Sequence, residues 1–263
     1  MADWRGRLEA GRIFIDGRRV ESDVILKNGQ LLLWRRPPWV EPDVPFVYSI
    51  LHEDEDLLAV DKPCGLPTMP GGGFLEHTLF ALVRKNYPEA APLHRLGRGT
   101  SGIVLFARSA RARSCICQAW RRKEVGKTYR ALAAGCPVEE NFVIEAPIGP
   151  VPHPKLGTVY AARPDGKSAL SRVSVLERRA GESLLEIGIE TGRPHQIRIH
   201  LAFAGHPLVG DRLYAPGGTI KDPGTLPGDT GYLLHAERLR LVHPVTGLPF
   251  EIVCPPPPEL AMS

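Results

Sequence analysis

No apolar run in this 263-residue chain approaches the ~20 residues that span a bilayer, and its first eleven residues are polar and charged. A membrane span and a secretory leader are therefore not expected, and the reading is a cytoplasmic protein. Cysteine is scarce: five, an odd number, which builds no disulfide framework. Cys115 and Cys117 sit two apart, so on a helix they point to different faces and form no metal clamp. Cys64, Cys136 and Cys254 have no close partner in sequence, which suits reduced, structural thiols. Internal repeats and low-complexity tracts are also missing. Acids are nearly missing from one stretch: between Arg95 and Arg130 ten Lys/Arg face a single acid, Glu124. That local excess is far larger than the whole-chain charge of +4 and is the footprint of a polyanion-binding face.

What is present organises around His94-Arg95-Leu96-Gly97-Arg98-Gly99-Thr100-Ser101-Gly102, followed by the apolar run Ile103 to Ala107. The run reads as a buried strand entered through a glycine-rich turn. Glycines 97, 99 and 102 permit positive φ or close approach of a ligand. Arg95 and Arg98 bracket the turn with fixed charge suited to carboxylate or phosphate. By itself the pattern fits a tight structural turn as well as it fits a site.

The chain on either side falls into pieces. Residues 1–36 form a small module, with a short helix over Trp4–Ala10 stopped at Gly11. A strand, an Asp16-Gly17 hairpin turn and a second strand then run to Val20. Asn28-Gly29 marks another turn before Leu31–Trp34. Residues 37–45 are a proline-rich linker. Residues 46–258 form the large domain, and 259–263 a tail. Within the large domain a strand ends at Pro63 and a helix runs from Thr78 to Asn86. Ser109 caps a further helix with apolar positions Ala112, Cys115, Ile116, Ala119 and Trp120. Lys127–Leu132 alternates as a strand with Lys127 and Tyr129 on one face. A strand over Leu185–Glu190 gives way at Thr191-Gly192 to a helix with Pro194 near its first turn and Gly205 at its end. Its start combines Arg193 with backbone N–H groups and a positive dipole end, an anion-ready arrangement. His195 and His200 lie five apart on that helix without a carboxylate, so they are no metal pair, and no metal site is expected.

Two blocks carry a family resemblance. His94–Gly102 resembles the signature loop of the RluA-type pseudouridine synthases, His-Arg-Leu-Asp followed by Thr-Ser-Gly. Thr191–His200 resembles the family's Thr-Gly-Arg-x-His-Gln-Ile-Arg-x-His block. Lys62-Pro63-Cys64-Gly65, Lys127-x-Tyr129, Gly166–Ala169, Gly205-x-Pro207, Gly210-Asp211-x-x-Tyr214 and Leu234-His235-Ala236 also fit, so the likeness spans about residues 46–258. The N-terminal piece resembles the back half of an S4 RNA-binding domain. One departure is serious: Gly97 occupies the position of the family's catalytic aspartate.

The resemblance implies an α+β fold with a large mixed, mainly antiparallel sheet and a small S4-like piece. It implies an RNA-uridine isomerase that breaks the N1–ribose bond, turns the uracil and rejoins it through C5, without cofactor or metal. The partner implied is ribosomal or transfer RNA, the protein a monomer. Tyr129 matches the uracil-stacking tyrosine and Arg198 the arginine that pairs with the aspartate. Arg95 matches the loop arginine that contacts RNA, and Arg98, Lys127, Arg193, His195 and Gln196 complete the expected RNA-binding set. Gly97 itself can do none of the aspartate's work, so an RNA-binding pseudoenzyme of the same fold is the rival expectation. A buried arginine left unpaired costs about 3–5 kcal/mol. One of Asp61, Glu190 or Asp211, or a bound anion, is therefore expected beside Arg198.

Overall fold

The computed structural model describes residues 4–222 and 224–263. The chain divides into two compact units, the first ending at Val40 and the second running from Glu41 to Ser263. The break falls inside the proline-rich stretch. In the first unit a helix, Trp4–Glu9, precedes strands Ile13–Ile15 and Arg18–Arg19, paired antiparallel. Asp16 and Gly17 between them both take positive φ (49° and 79°), the handedness that a two-residue hairpin turn requires. Leu32–Trp34 pairs on the other edge of Ile13–Ile15. Ile13 is buried, and the Arg7 guanidinium lies 3.7 Å from the Trp34 ring centroid, so a cation on an aromatic face helps to close this small core. Residues 1–3 of the expected module lie outside the described residues.

The second unit is built on a ten-stranded sheet. Its order is Ser49–Glu53, Leu57–Lys62, Ser101–Ala107, Leu234–Val242, Gly126–Ala134, Glu182–Ile189, Ser171–Arg179 and Asn141–Ile144. Ala91–Pro92 pairs with Ser101–Ala107, and Pro249–Val253 with Leu234–Val242. All neighbours are antiparallel except Ser101–Ala107 with Leu234–Val242. The expected α+β architecture with a mixed, mainly antiparallel sheet is thus found.

The continuous apolar runs follow from burial on both faces. Leu57, Ala59, Ile103 and Leu105 pack with Ala112 and Ile116 of the helix Ala110–Arg121. The alternate residues Leu58, Val60, Val104 and Phe106 pack with Leu79 and Val83 of the helix Leu79–Asn86. Ser109 Oγ accepts from Ala112 N as its sequence predicts, and Thr78, expected as the first helical residue, caps its helix instead, its Oγ1 accepting from Ala81 N, both at 3.1 Å. Cys115, expected on the apolar face, is exposed instead.

The single parallel pairing brings two strand starts to one end of the sheet, with His235 opposite Ser101 and Ala236 opposite Gly102. Gly102 makes this approach possible. Its φ is +103°, and a Cβ there would lie 2.3 Å from the Ala236 carbonyl oxygen. Residues 259–263 do not trail free as a tail. Leu260 is buried, and Arg179 donates to the carbonyls of Glu259 and Ala261. No helix among the described residues is long and apolar enough to cross a membrane.

Candidate active site

The loop His94–Thr100 is held on a cradle made by the end of the Leu57–Lys62 strand. Lys62, fully buried, donates from Nζ to the carbonyls of Pro63 and Leu66 at 2.8 Å and of Arg98 at 3.4 Å. Burial lowers its amine to about 7, opposed by Cys64 and Asp61. Gly65 N donates to Arg98 O at 2.8 Å, Arg98 Nε returns a bond to Gly65 O at 3.1 Å, and Cys64 Sγ donates to Gly99 O. Thr68 Oγ1 bonds both Leu96 O and Leu96 N. His94 Nε2 accepts from Leu105 N at 3.0 Å, which fixes the imidazole as neutral at that nitrogen. Burial, helped by Lys127, lowers this ring to about 4. The Lys62-Pro63-Cys64-Gly65 stretch is therefore the support of the signature loop.

Beside the loop lies a cavity of about 150 Å³. Leu96, Gly97, Tyr129, His195, Arg198 and Tyr232 line it, with Arg95 and Arg193 also on its wall. The fold thus brings together Gly97, Tyr129 and Arg198, from three elements far apart in sequence. Burial pushes the Tyr129 phenol up to about 12, so it is neutral. Arg198 is buried, and Asp211 meets it with two bonds, Nε–Oδ2 at 2.7 Å and Nη2–Oδ1 at 2.9 Å. Its third nitrogen, Nη1, donates to Pro227 O at 3.0 Å. Burial works against the guanidinium charge, but the Asp211 pairing outweighs it and holds Arg198 above its ordinary value. Asp211 Oδ1 also accepts from the backbone N–H groups of Leu213 and Tyr214. The expected acid beside Arg198 is Asp211. Glu190 instead pairs with Arg172 on the surface, and Asp61 lines a neighbouring cavity with Cys64 and His235.

The remaining expected residues separate into two groups. Arg95 is exposed at the cavity, and Arg193 is oriented by a bond from Nε to Ser168 O, which gives the Gly166–Ala169 turn a positioning role. Lys127 is half-buried near Gly192. Arg98 is not among the cavity-lining residues; it ties the loop to Gly65 and lies over the Phe74 ring. Gln196 lines the cavity but has nothing to offer RNA. Its Oε1 accepts from Thr191 Oγ1 and Arg193 N, and its Nε2 donates to Leu170 O and Ser171 Oγ. All four capacities of the amide are used within the protein, two on the Thr191–Arg193 turn and two at the start of the Ser171–Arg179 strand. His195 Nδ1 bonds Tyr214 Oη at 2.8 Å, and burial, helped by Arg198, lowers the ring to about 3. It takes φ +55° and starts the helix Gln196–Phe203, so the helix begins after Pro194 and not around it.

The glycines of the loop act differently from expectation. Only Gly102 has positive φ; Gly97 and Gly99 leave room for Tyr232. A Cβ at Gly97 would lie 3.1 Å from Tyr232 Oη, and one at Gly99 2.8 Å from its Cε1. The Tyr232 hydroxyl bonds Thr100 Oγ1 at 3.2 Å, and the Arg198 guanidinium lies 4.2 Å from the ring centroid. Tyr232 is the lining residue that sequence reasoning missed. The only hint in the chain is the small residue at both 97 and 99, which does not say what fills the space. A second missed feature is the buried pair Arg130–Glu237, bidentate at 2.6 and 3.2 Å, one strand residue beyond Tyr129.

Comparison with known proteins agrees with this geometry. A family model described as RNA pseudouridylate synthase matches residues 56–203. An uncharacterized RNA pseudouridine synthase of Synechocystis sp. is 46% identical, covering 98% of this chain and 89% of its own. RNA pseudouridine synthase 5 of Arabidopsis thaliana is 38% identical, covering 98% and 85%. Ribosomal large subunit pseudouridine synthase D of Xanthomonas campestris is 33% identical, covering 99% and 81%. Among solved structures, human RNA pseudouridylate synthase domain containing 1 superposes with a TM-score of 0.64 at 26% identity, over 84% of this chain and 89% of that one. With Tyr129 and Arg198 on one cavity beside the signature loop, and relatives matched over nearly its whole length, the chain belongs to the RluA-type RNA pseudouridine synthases, isomerases that act on RNA.

Proposed function

We propose that this chain, as a monomer, converts specific uridines of structured ribosomal or transfer RNA to pseudouridine without a carboxylate at position 97. The observation that carries the reading is the cavity itself. Although Gly97 has no side chain, Tyr129 and Arg198 still line a space sized for one base, and Arg198 keeps its charge by pairing with Asp211. The target nucleotide must leave its stack, at a cost of a few kcal/mol, and Tyr129 offsets this by stacking on the uracil. Arg95 and Arg193 contact the flanking phosphates. Arg111, Arg113, Arg121 and Arg122 are exposed and, among the described residues, form no ion pair, which suits a second phosphate-tracking surface. Arg108 and Arg130 do not contribute, since Glu53, Glu89 and Glu237 neutralise them. The name of the Xanthomonas relative favours ribosomal RNA over transfer RNA.

The test is to incubate the protein with unmodified ribosomal and transfer RNA and map the modified positions. Site-specific pseudouridine is expected. RNA bound tightly with no uridine converted would overturn the reading in favour of an RNA-binding pseudoenzyme.

A further inference from the structure

Isomerisation needs a group that engages the ribose while the uracil is free, and Gly97 supplies none. The space where a side chain at 97 would stand is taken by the Tyr232 hydroxyl, 3.1 Å from the position of a Cβ there. The signature loop is shaped round this ring. Gly99 leaves space for its Cε1 edge, Thr100 bonds its hydroxyl, and Tyr232 is itself buried on the cavity wall with Tyr129 and Arg198. Asp211 is no substitute, because both of its oxygens are bound by Arg198 and Oδ1 also by two backbone N–H groups. The hydroxyl that Thr100 holds is thus the polar group nearest to where a side chain at 97 would begin.

We propose that Tyr232 is the nucleophile of this enzyme, its phenolic oxygen acting where a carboxylate at 97 would act. The inference rests on the uridine isomerisation proposed above. Tyrosine oxygens are competent nucleophiles in covalent catalysis, including at sugar carbons. In the first step the Tyr232 oxygen bonds to ribose C1′, the C1′–N1 bond breaks with its electron pair leaving on the uracil, and the phenolic proton passes to N1. In the second step the turned uracil bonds through C5 to C1′, and the Tyr232 oxygen leaves with the electron pair of its bond. It then takes up the proton that C5 gives up. The product carries hydrogen on N1 and none on C5, the hydroxyl is restored, and no further reactant is needed. Arg198, 4.2 Å from the ring centroid, favours the phenolate when the oxygen leaves, and Thr100 supplies a hydrogen bond to it. Burial, and to a lesser degree Asp211 and Cys64, favour the neutral phenol between turnovers, which matches a step that begins from the hydroxyl.

Tyr232→Phe removes one oxygen and tests this directly. The unmodified protein is assayed alongside it for pseudouridine formed and for RNA affinity. The variant is expected to bind RNA within about threefold of the unmodified protein and to lose at least about a hundredfold in rate. The loss of the hydroxyl also opens the space beside Gly97. The double variant Gly97→Asp/Tyr232→Phe is therefore expected to regain at least about tenfold over Tyr232→Phe, while Gly97→Asp alone, crowded by Tyr232 Oη, gains nothing. A second readout does not depend on any variant folding: turnover by the unmodified protein is quenched in denaturant and the protein digested. RNA sugar attached to the peptide containing Tyr232 is expected. Tyr232→Phe within about threefold of full rate, or attachment at another residue, overturns the assignment alone. Absence of pseudouridine from the unmodified protein would overturn the isomerisation itself, and this assignment with it.

Discussion

Arg198 shows how a single charge constrains its surroundings. A guanidinium buried at the cavity wall needs a carboxylate, and that requirement is legible in the amino-acid sequence because an unpaired partner costs so much. Asp211 meets it with two bonds at 2.7 and 2.9 Å. Asp211→Asn is therefore expected to destabilise the fold by about 3–5 kcal/mol in chemical denaturation, and a change below about 1 kcal/mol would contradict the pairing. Tyr129 bears on a different quantity. If its ring serves by stacking, Tyr129→Phe keeps most of the activity, while Tyr129→Ala loses about 10–100-fold, the value of one stacked base. Equal losses in the two variants would point to the hydroxyl instead. Residue type alone does not reveal that Gln196 is consumed by four protein hydrogen bonds. Nor does it reveal Tyr232, which reaches Gly97 only through the packing of a distant loop.

At the scale of elements, strands and helices follow from local pattern. The Ser101–Ala107 and Leu57–Lys62 runs, the helix capped by Ser109 and the Asp16-Gly17 turn all lie where apolar runs, a serine cap and an Asp-Gly pair put them. Strand order does not follow, because pairing depends on contacts between residues far apart in the chain. The clearest case is the parallel pairing of Ser101–Ala107 with Leu234–Val242, which depends on Gly102. A methyl group there meets the Ala236 carbonyl oxygen at 2.3 Å, at a φ of +103°. Gly102→Ala is expected to cost about 3 kcal/mol or more, from crowding and backbone strain together, and to separate the loop from Tyr232. A protein that melts as before would contradict the close approach. The helix Gln196–Phe203 starts later than its sequence pattern predicts, because His195 adopts a left-handed conformation that the pattern does not forecast.

For the whole molecule, buried and half-buried histidines set the response to acid. His94 and His195 are lowered to about 4 and 3, mainly by burial, and His200 and His235 are lowered in the same sense. In the unfolded chain all four take up protons near 6.5. Between that value and the folded ones the unfolded state binds more protons, so stability falls as pH drops. His94 and His195 together account for a loss on the order of 2–4 kcal/mol between pH 7 and pH 5. Urea unfolding at the two pH values checks this, and equal stability at both would contradict neutral burial. The basic run behaves less simply than its count of charges suggests, since Arg108 and Arg130 are neutralised by acids from elsewhere in the chain.

The measurement that bears most directly on the whole account follows the proton that leaves C5. RNA carrying tritium at uridine C5 is given to the unmodified protein in excess, and released tritium is counted against moles of enzyme. Release of many equivalents is expected, because the cavity retains an arginine kept charged, the Tyr129 ring and a hydroxyl beside position 97. No release from the unmodified protein, with release from Gly97→Asp/Tyr232→Phe, would mean that the frame binds RNA but lacks the chemistry.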